Sequence, residues 1–80
     1  MIYYVYLIQS GINGAYYIGQ TNDVKKRLKR HNNGEIFSTK GKKPWKLIKF
    51  ETFATRSESM WREHQIKTNK KIKANFIVGD

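Results

Sequence analysis

The sequence predicts an α+β domain in which a small three-stranded antiparallel sheet is flanked by helices. Two runs rich in Tyr, Val and Ile, residues 2–9 and 15–19, are separated by turn residues Gly11, Asn13 and Gly14. A third run, residues 45–53, follows a basic loop. Two segments with helix-starting residues and helically spaced apolar positions come after the second and third runs. The order is strand, strand, helix, strand, helix, and residues 70–75 leave a short third helix or a frayed end open. Eighty residues make one small domain, 1–80.

Each element has a local cause. Residues 2–9 are nearly continuous in apolar character, which suits a strand covered on both faces. The turn at 10–14 returns the chain as a hairpin, and Gly19 closes the second strand, allowing a close approach or a bend. Thr21, Asn22 and Asp23 are all competent to cap the helix that runs to about residue 33. Val24, Leu28 and His31 share one side of it with Arg27 beside them, Lys25, Lys26, Lys29 and Arg30 point outward, and Gly34 ends it. Residues 35–44 read as a basic loop. Thr55 and Glu58 have the spacing of a capping box, opening a helix with Met60, Trp61 and Ile66 that runs to about residue 69.

Composition narrows the class of function. The absence of cysteine excludes a disulfide framework and a thiolate metal site. Sixteen Lys and Arg against six Asp and Glu give a net charge of +10, which predicts attraction to polyanions, nucleic acid foremost. No apolar run approaches the ~20 residues that span a bilayer, and the N-terminal segment lacks the charge and cleavage pattern of a signal peptide. A soluble, cytoplasmic protein without membrane contact is expected. A chain this short offers a surface groove rather than an enclosed pocket. It leaves little surface for reading bases, so specificity calls for a partner protein.

Five residues are candidates for chemistry. Arg27 and His31, one turn apart, suit phosphate binding and proton transfer near neutral pH, or else belong to a solvated basic helix. Tyr6 and Tyr17 fall on adjacent strands, either side by side in the hairpin or as half-buried strand aromatics. Glu63 lies midway between Met60 and Ile66 on an apolar stripe, so it points inward and needs a cation, a divalent metal, Arg27 or Lys67. Lys25, Lys26, Lys29, Arg30, Lys40, Lys42, Lys43 and Lys67 are expected to contact phosphates. Trp45 is either a base-stacking or a core residue, and His64 is a surface residue with no role.

Together these residues resemble the GIY-YIG nuclease superfamily, in particular its small stand-alone members related to the N-terminal nuclease domain of the bacterial excision-repair incision subunit. The first motif reads Tyr4-Val5-Tyr6 and the second Tyr17-Ile18-Gly19, followed by Arg27 and His31 at the family spacing. Arg62-Glu63 with Ile66-Lys67 matches the stretch that holds the family's metal-binding glutamate. The resemblance implies a DNA endonuclease using one Mg2+ or Mn2+ held by Glu63, with a role in DNA repair or on branched structures. Tyr17 would activate water, Tyr6 would order water or the neighbouring phenol, Arg27 would stabilise phosphate charge and His31 would assist proton transfer. Tyr4 replaces the first motif's glycine and Gln20 a lysine of the repair-enzyme domain. Asn75 is the candidate for a downstream asparagine.

Overall fold

The computed structural model describes residues 1–79. Strands β1 (Tyr3–Ser10), β2 (Tyr16–Thr21) and β3 (Trp45–Phe53) form an antiparallel sheet in the order β2-β1-β3. Helix α1 (Val24–Asn32) follows β2, and α2 (Arg56–Thr68) and α3 (Lys70–Val78) follow β3. The open segment at the end is therefore a helix, started by Asn69, whose side chain accepts from the backbone N–H of Lys71 and Ile72. The loop before β3 holds a short 3-10 turn, Lys40–Lys42.

Burial explains why β1 is central. Val5, Tyr6, Leu7 and Ile8 are consecutive and all buried, so both faces of the strand are covered. Side chains alternate between the faces. Val5 and Leu7 join Ile18, Ile66 and Phe76 beneath α2 and α3, while Tyr6 and Ile8 join Trp45, Tyr17, Leu28 and Leu47 on the α1 side. The second strand extends beyond Gly19, because Gln20 and Thr21 pair with Val5 and Tyr4.

The register of β3 and the orientation of α2 set side-chain direction, and the second corrects an expectation. The register of β3 slips at Ile48: Leu7 opposes Lys49 while Ile8 opposes Leu47. The extra residue shifts the phase of the strand, so Ile48 and Phe50 are exposed. Glu51 turns inward and takes a two-pronged bond from Arg62 of α2, at 2.9 and 3.2 Å, which holds the Arg62 guanidinium above its ordinary pKa. On α2 the buried residues are Ser59 and Ile66, whereas Met60 is 52% exposed. The stripe from Met60 to Ile66 is thus not an apolar face, since α2 packs Ser59 and Ile66 against the sheet and turns Met60 to solvent.

Ile66→Ala is expected to lower the unfolding free energy by about 2–5 kcal/mol, the range for deleting a fully buried aliphatic side chain. Met60→Ala should change it by less than about 0.5 kcal/mol, as exposed substitutions do. Urea unfolding of both variants tests the orientation of α2.

Candidate active site

The site starts from a steric requirement. Tyr6 lies directly opposite Gly19 in the β1–β2 register. A Cβ on Gly19 would sit 2.4 Å from Tyr6 Oη and 2.5 Å from its Cζ. The tyrosine ring therefore lies across the glycine, and its hydroxyl extends over β2, an edge strand of the sheet. The close approach expected at Gly19 is made by a side chain, with no special backbone angle involved. Tyr17, opposite Ile8, shares this face and lies diagonal to Tyr6 instead of beside it.

The α1 helix then brings its polar groups onto the phenol. The Asp23 side chain caps the helix by accepting from the Lys26 backbone N–H at 3.0 Å. With the start pinned there, Arg27 and His31 fall on successive turns facing Tyr6. Arg27 Nε donates to Tyr6 Oη at 3.2 Å, and His31 Nε2 lies 2.9 Å from the same oxygen. His31 Nδ1 lies 2.7 Å from Thr39 Oγ1, whose own proton goes to the Ile36 carbonyl at 3.3 Å. The donor directions follow: His31 Nδ1–H donates to Thr39, and Tyr6 Oη–H donates to His31 Nε2. Trp45 Nε1 donates to the Thr39 carbonyl at 2.9 Å, and the Asn32 side chain bonds the Trp45 backbone. Trp45 is consequently a core residue.

Electrostatics follow the same geometry. Burial, then the positive charges of Arg27 and Arg30, lower the pKa of His31 to about 4, so at neutral pH its imidazole is an uncharged acceptor. Burial pushes the Tyr6 phenol upward; Arg27 opposes this, and Tyr17 and Glu63 add to it. Tyr6 and His31 are fully buried. Arg27 is the partly exposed member of the trio, and burial of His31 opposes the direct proton transfer at neutral pH expected of it.

Glu63 reaches the site from the other layer. Its helix packs Ile66 beneath the opposite face of the sheet, but α2 runs along β2, with Ser59 Oγ 3.3 Å from Gln20 Oε1. Lys67 Nζ lies 2.9 Å from Glu63 Oε2 and 5.5 Å from the centre of the Tyr17 ring. Tyr6, Tyr17, Arg27 and Glu63 thus converge at the β2 edge. Lys67 belongs with them as the cation between Glu63 and Tyr17.

The remaining cations separate by location. Lys26, Arg27 and Arg30 line a groove with Arg56, and Lys29 continues that basic surface beside Lys26 and Arg30. Lys25 lies on the far side of α1, over a cleft with Tyr4, Leu47 and Phe50, so it does not face the site. Lys40 and Lys43 approach Gly34 at the C-terminal end of α1, with Lys42 in the same turn. Asn75 lines a separate cleft with Lys49, Glu51 and Arg62 and has no part in this site. Thr39, Ser59 and Arg56 are the residues that sequence reasoning missed; Thr39 sits in a loop with no periodic signal.

A family model described as the GIY-YIG catalytic domain matches residues 2–75. The chain belongs to this family. Membership makes it a nuclease-type domain whose substrate is nucleic acid. Relatives of the GIY-YIG domain include a UPF0213 protein of Haloquadratum walsbyi, 40% identical over 77 residues, covering 95% of this chain and 85% of the relative. A UPF0213 protein of Staphylococcus saprophyticus is 39% identical over 79 residues, covering 98% of this chain and 95% of the relative. The solution NMR structure of a UPF0213 protein of Bacillus halodurans superposes with a TM-score of 0.60 at 31% identity, covering 99% of this chain and 84% of that one. The two tripeptides of the GIY-YIG pattern are here physically complementary, since the last tyrosine of the first rests on the glycine of the second. Tyr4 fits its position by packing edge-on to Phe50, with ring centres 5.4 Å apart.

Gly19→Ala is expected to displace the Tyr6 ring and destabilise the fold by about 1–3 kcal/mol, as overpacking does; thermal unfolding and the Tyr6 ring NMR signals report it. The His31 linkage gives a second test. The unfolded imidazole takes its proton near pH 6.5 and the folded one only near pH 4. Between these values the unfolded state binds more protons, so stability falls as pH falls. From pH 7 to pH 5 the loss attributable to His31 is about 2 kcal/mol, and His31→Asn should flatten that slope in denaturant titrations.

Proposed function

We propose that the protein is a divalent-metal-dependent endonuclease that hydrolyses DNA phosphodiester bonds. The observation that carries this reading is the fixed guanidinium at the groove. Tyr6 holds Arg27 by Nε alone, leaving both terminal amino groups to fork onto a phosphate. Tyr17, half-buried, presents its phenol beside Lys67, where it is suited to accept a proton from an attacking water. Arg27 stabilises charge on the phosphate oxygens as the bond breaks. Tyr6 and His31 are positioning residues that keep Arg27 aimed.

The residues present fit one divalent ion. Glu63 offers a half-buried carboxylate beside Lys67, and Mg2+ is commonly held by one or two carboxylates with water and substrate phosphate completing its shell. Among the described residues no three His, Cys, Asp or Glu side chains gather into a group that could hold a metal ion. When bound, Mg2+ or Mn2+ supplies Lewis-acid stabilisation of the phosphate and leaving oxygen. Lys67 holds Glu63 in the free protein, so this carboxylate would have to leave that ammonium in order to hold an ion. The same ion pair favours the alternative reading, a nucleic-acid-binding module that turns over weakly or not at all. A repair role and action on branched DNA rest on the family resemblance alone. No described helix is long and apolar enough to cross a membrane.

Supercoiled, single-stranded and branched DNA are incubated with the protein in Mg2+ or Mn2+ and in EDTA. The expected result is metal-dependent nicking, reduced by about 100-fold or more in Tyr17→Phe, Arg27→Ala and Glu63→Gln. Cleavage that survives all three substitutions overturns the proposal. Binding without cleavage by the wild-type protein selects the binding module.

A further inference from the structure

The groove beside the proposed catalytic centre has a second set of cations with no assigned partner. Its volume is about 380 Å³, and Lys26, Arg27, Arg30 and Arg56 converge on it from α1 and from the first turn of α2. Acidic compensation is slight: Asp23 is engaged in capping α1, and Arg30 meets Glu35 at 3.5 Å with both side chains half exposed. Among the described residues Lys26, Arg27 and Arg56 form no ion pair.

Arg56 is placed from two directions. Its guanidinium carbon stands 5.2 Å from the centre of the Tyr3 ring. Its backbone carbonyl accepts from Ser59 Oγ at 2.8 Å, and the fully buried Ser59 lies against Gln20 of β2. The first turn of α2 is thereby fastened next to the end of β2, across the groove from Lys26 and Arg30.

Position along the edge separates this groove from the chemistry. Tyr17 to Gln20 is three residues of strand, about 10 Å. Arg56 to Glu63 is seven residues of helix, again about 10 Å. Both elements thus set Arg56 one similar step away from the Glu63 and Tyr17 end of the site. Arg27 belongs to both places, because it lines the groove while bonded to Tyr6.

We propose that Lys26, Arg30 and Arg56 form a second phosphate subsite, which holds a backbone phosphate flanking the one at Arg27 on the same nucleic-acid strand. The proposal rests on the nucleic-acid reading of the site and adds the path of the strand, from Lys67 and Tyr17 past Arg27 to the start of α2. Such a subsite contributes register and affinity without reading sequence.

Binding of a fluorescently labelled oligonucleotide is measured by anisotropy in EDTA, so that cleavage plays no part, over a series of salt concentrations. Arg56→Ala and Lys26→Ala are each expected to weaken binding about tenfold at low salt and to reduce the log–log salt slope by about one. Arg56→Lys should retain the slope. Lys73→Ala removes the same charge from α3, in the layer across the sheet from α1, and should stay within about twofold of wild type. A single neutral methylphosphonate walked along the strand should abolish the Arg56→Ala effect at one internal position; if a terminal phosphate alone is responsible, the flanking-phosphate assignment falls. Arg56→Ala and Lys26→Ala behaving like Lys73→Ala overturns the subsite. Arg56-dependent binding by a protein that never cleaves supports the subsite and removes the hydrolytic function. No binding to any oligonucleotide removes both.

Discussion

The contact between Tyr6 and Gly19 is the constraint on which the site depends. A side chain at residue 19 would occupy the space of the phenol, and without the phenol neither Arg27 nor His31 has its partner. The Tyr6 oxygen accepts from Arg27 and its proton goes to His31, so one buried group aims a guanidinium and fixes an imidazole tautomer. A buried hydroxyl left without partners costs about 1–3 kcal/mol. Here that cost is avoided only when α1 is docked, which couples the helix position to the two central motif residues. Thr39 and Trp45 extend the coupling to the loop and to β3.

The sheet divides the molecule into two layers with different physical character. Beneath α2 and α3, aliphatic and phenylalanine side chains form the apolar cluster. On the α1 side, Tyr6, Tyr17, His31 and Trp45 mix aromatic packing with hydrogen bonds. The candidate site residues gather at neither centre. They gather along β2, where Ser59 of α2 meets Gln20 and Lys67 joins Glu63 to Tyr17. An edge strand next to a helix gives a chain this small a groove open to a long polyanion.

Much of this was legible because its causes are local. The caps at Asp23 and Thr55 and the glycine after α1 follow from short-range hydrogen bonding and backbone freedom. The limits of β3 and the common face of Arg27 and His31 follow from simple periodicity. Other features needed distant partners. The slip at Ile48 depends on how β3 meets β1, and it decides that Glu51 turns inward while Phe50 does not. Glu63 was singled out for being central on an apolar stripe, yet Met60 is exposed. Its place at the site comes from the passage of α2 along the edge strand, which no helical wheel contains. Thr39 gave no signal because a buried loop threonine is recognised only by what it bonds. Asn75, the candidate for the downstream asparagine, lies in a different cleft.

The chain by itself determined which residue types carry chemistry, in what order, and on which helical or strand faces, since those properties depend on neighbours a few positions away. Tertiary structure alone decided the division of roles among them. Packing depth buried Tyr6 and His31 and left Tyr17, Arg27 and Glu63 partly exposed. Depth and proximity are properties of elements meeting in space, and they arise only when the hairpin, α1 and α2 close around one glycine.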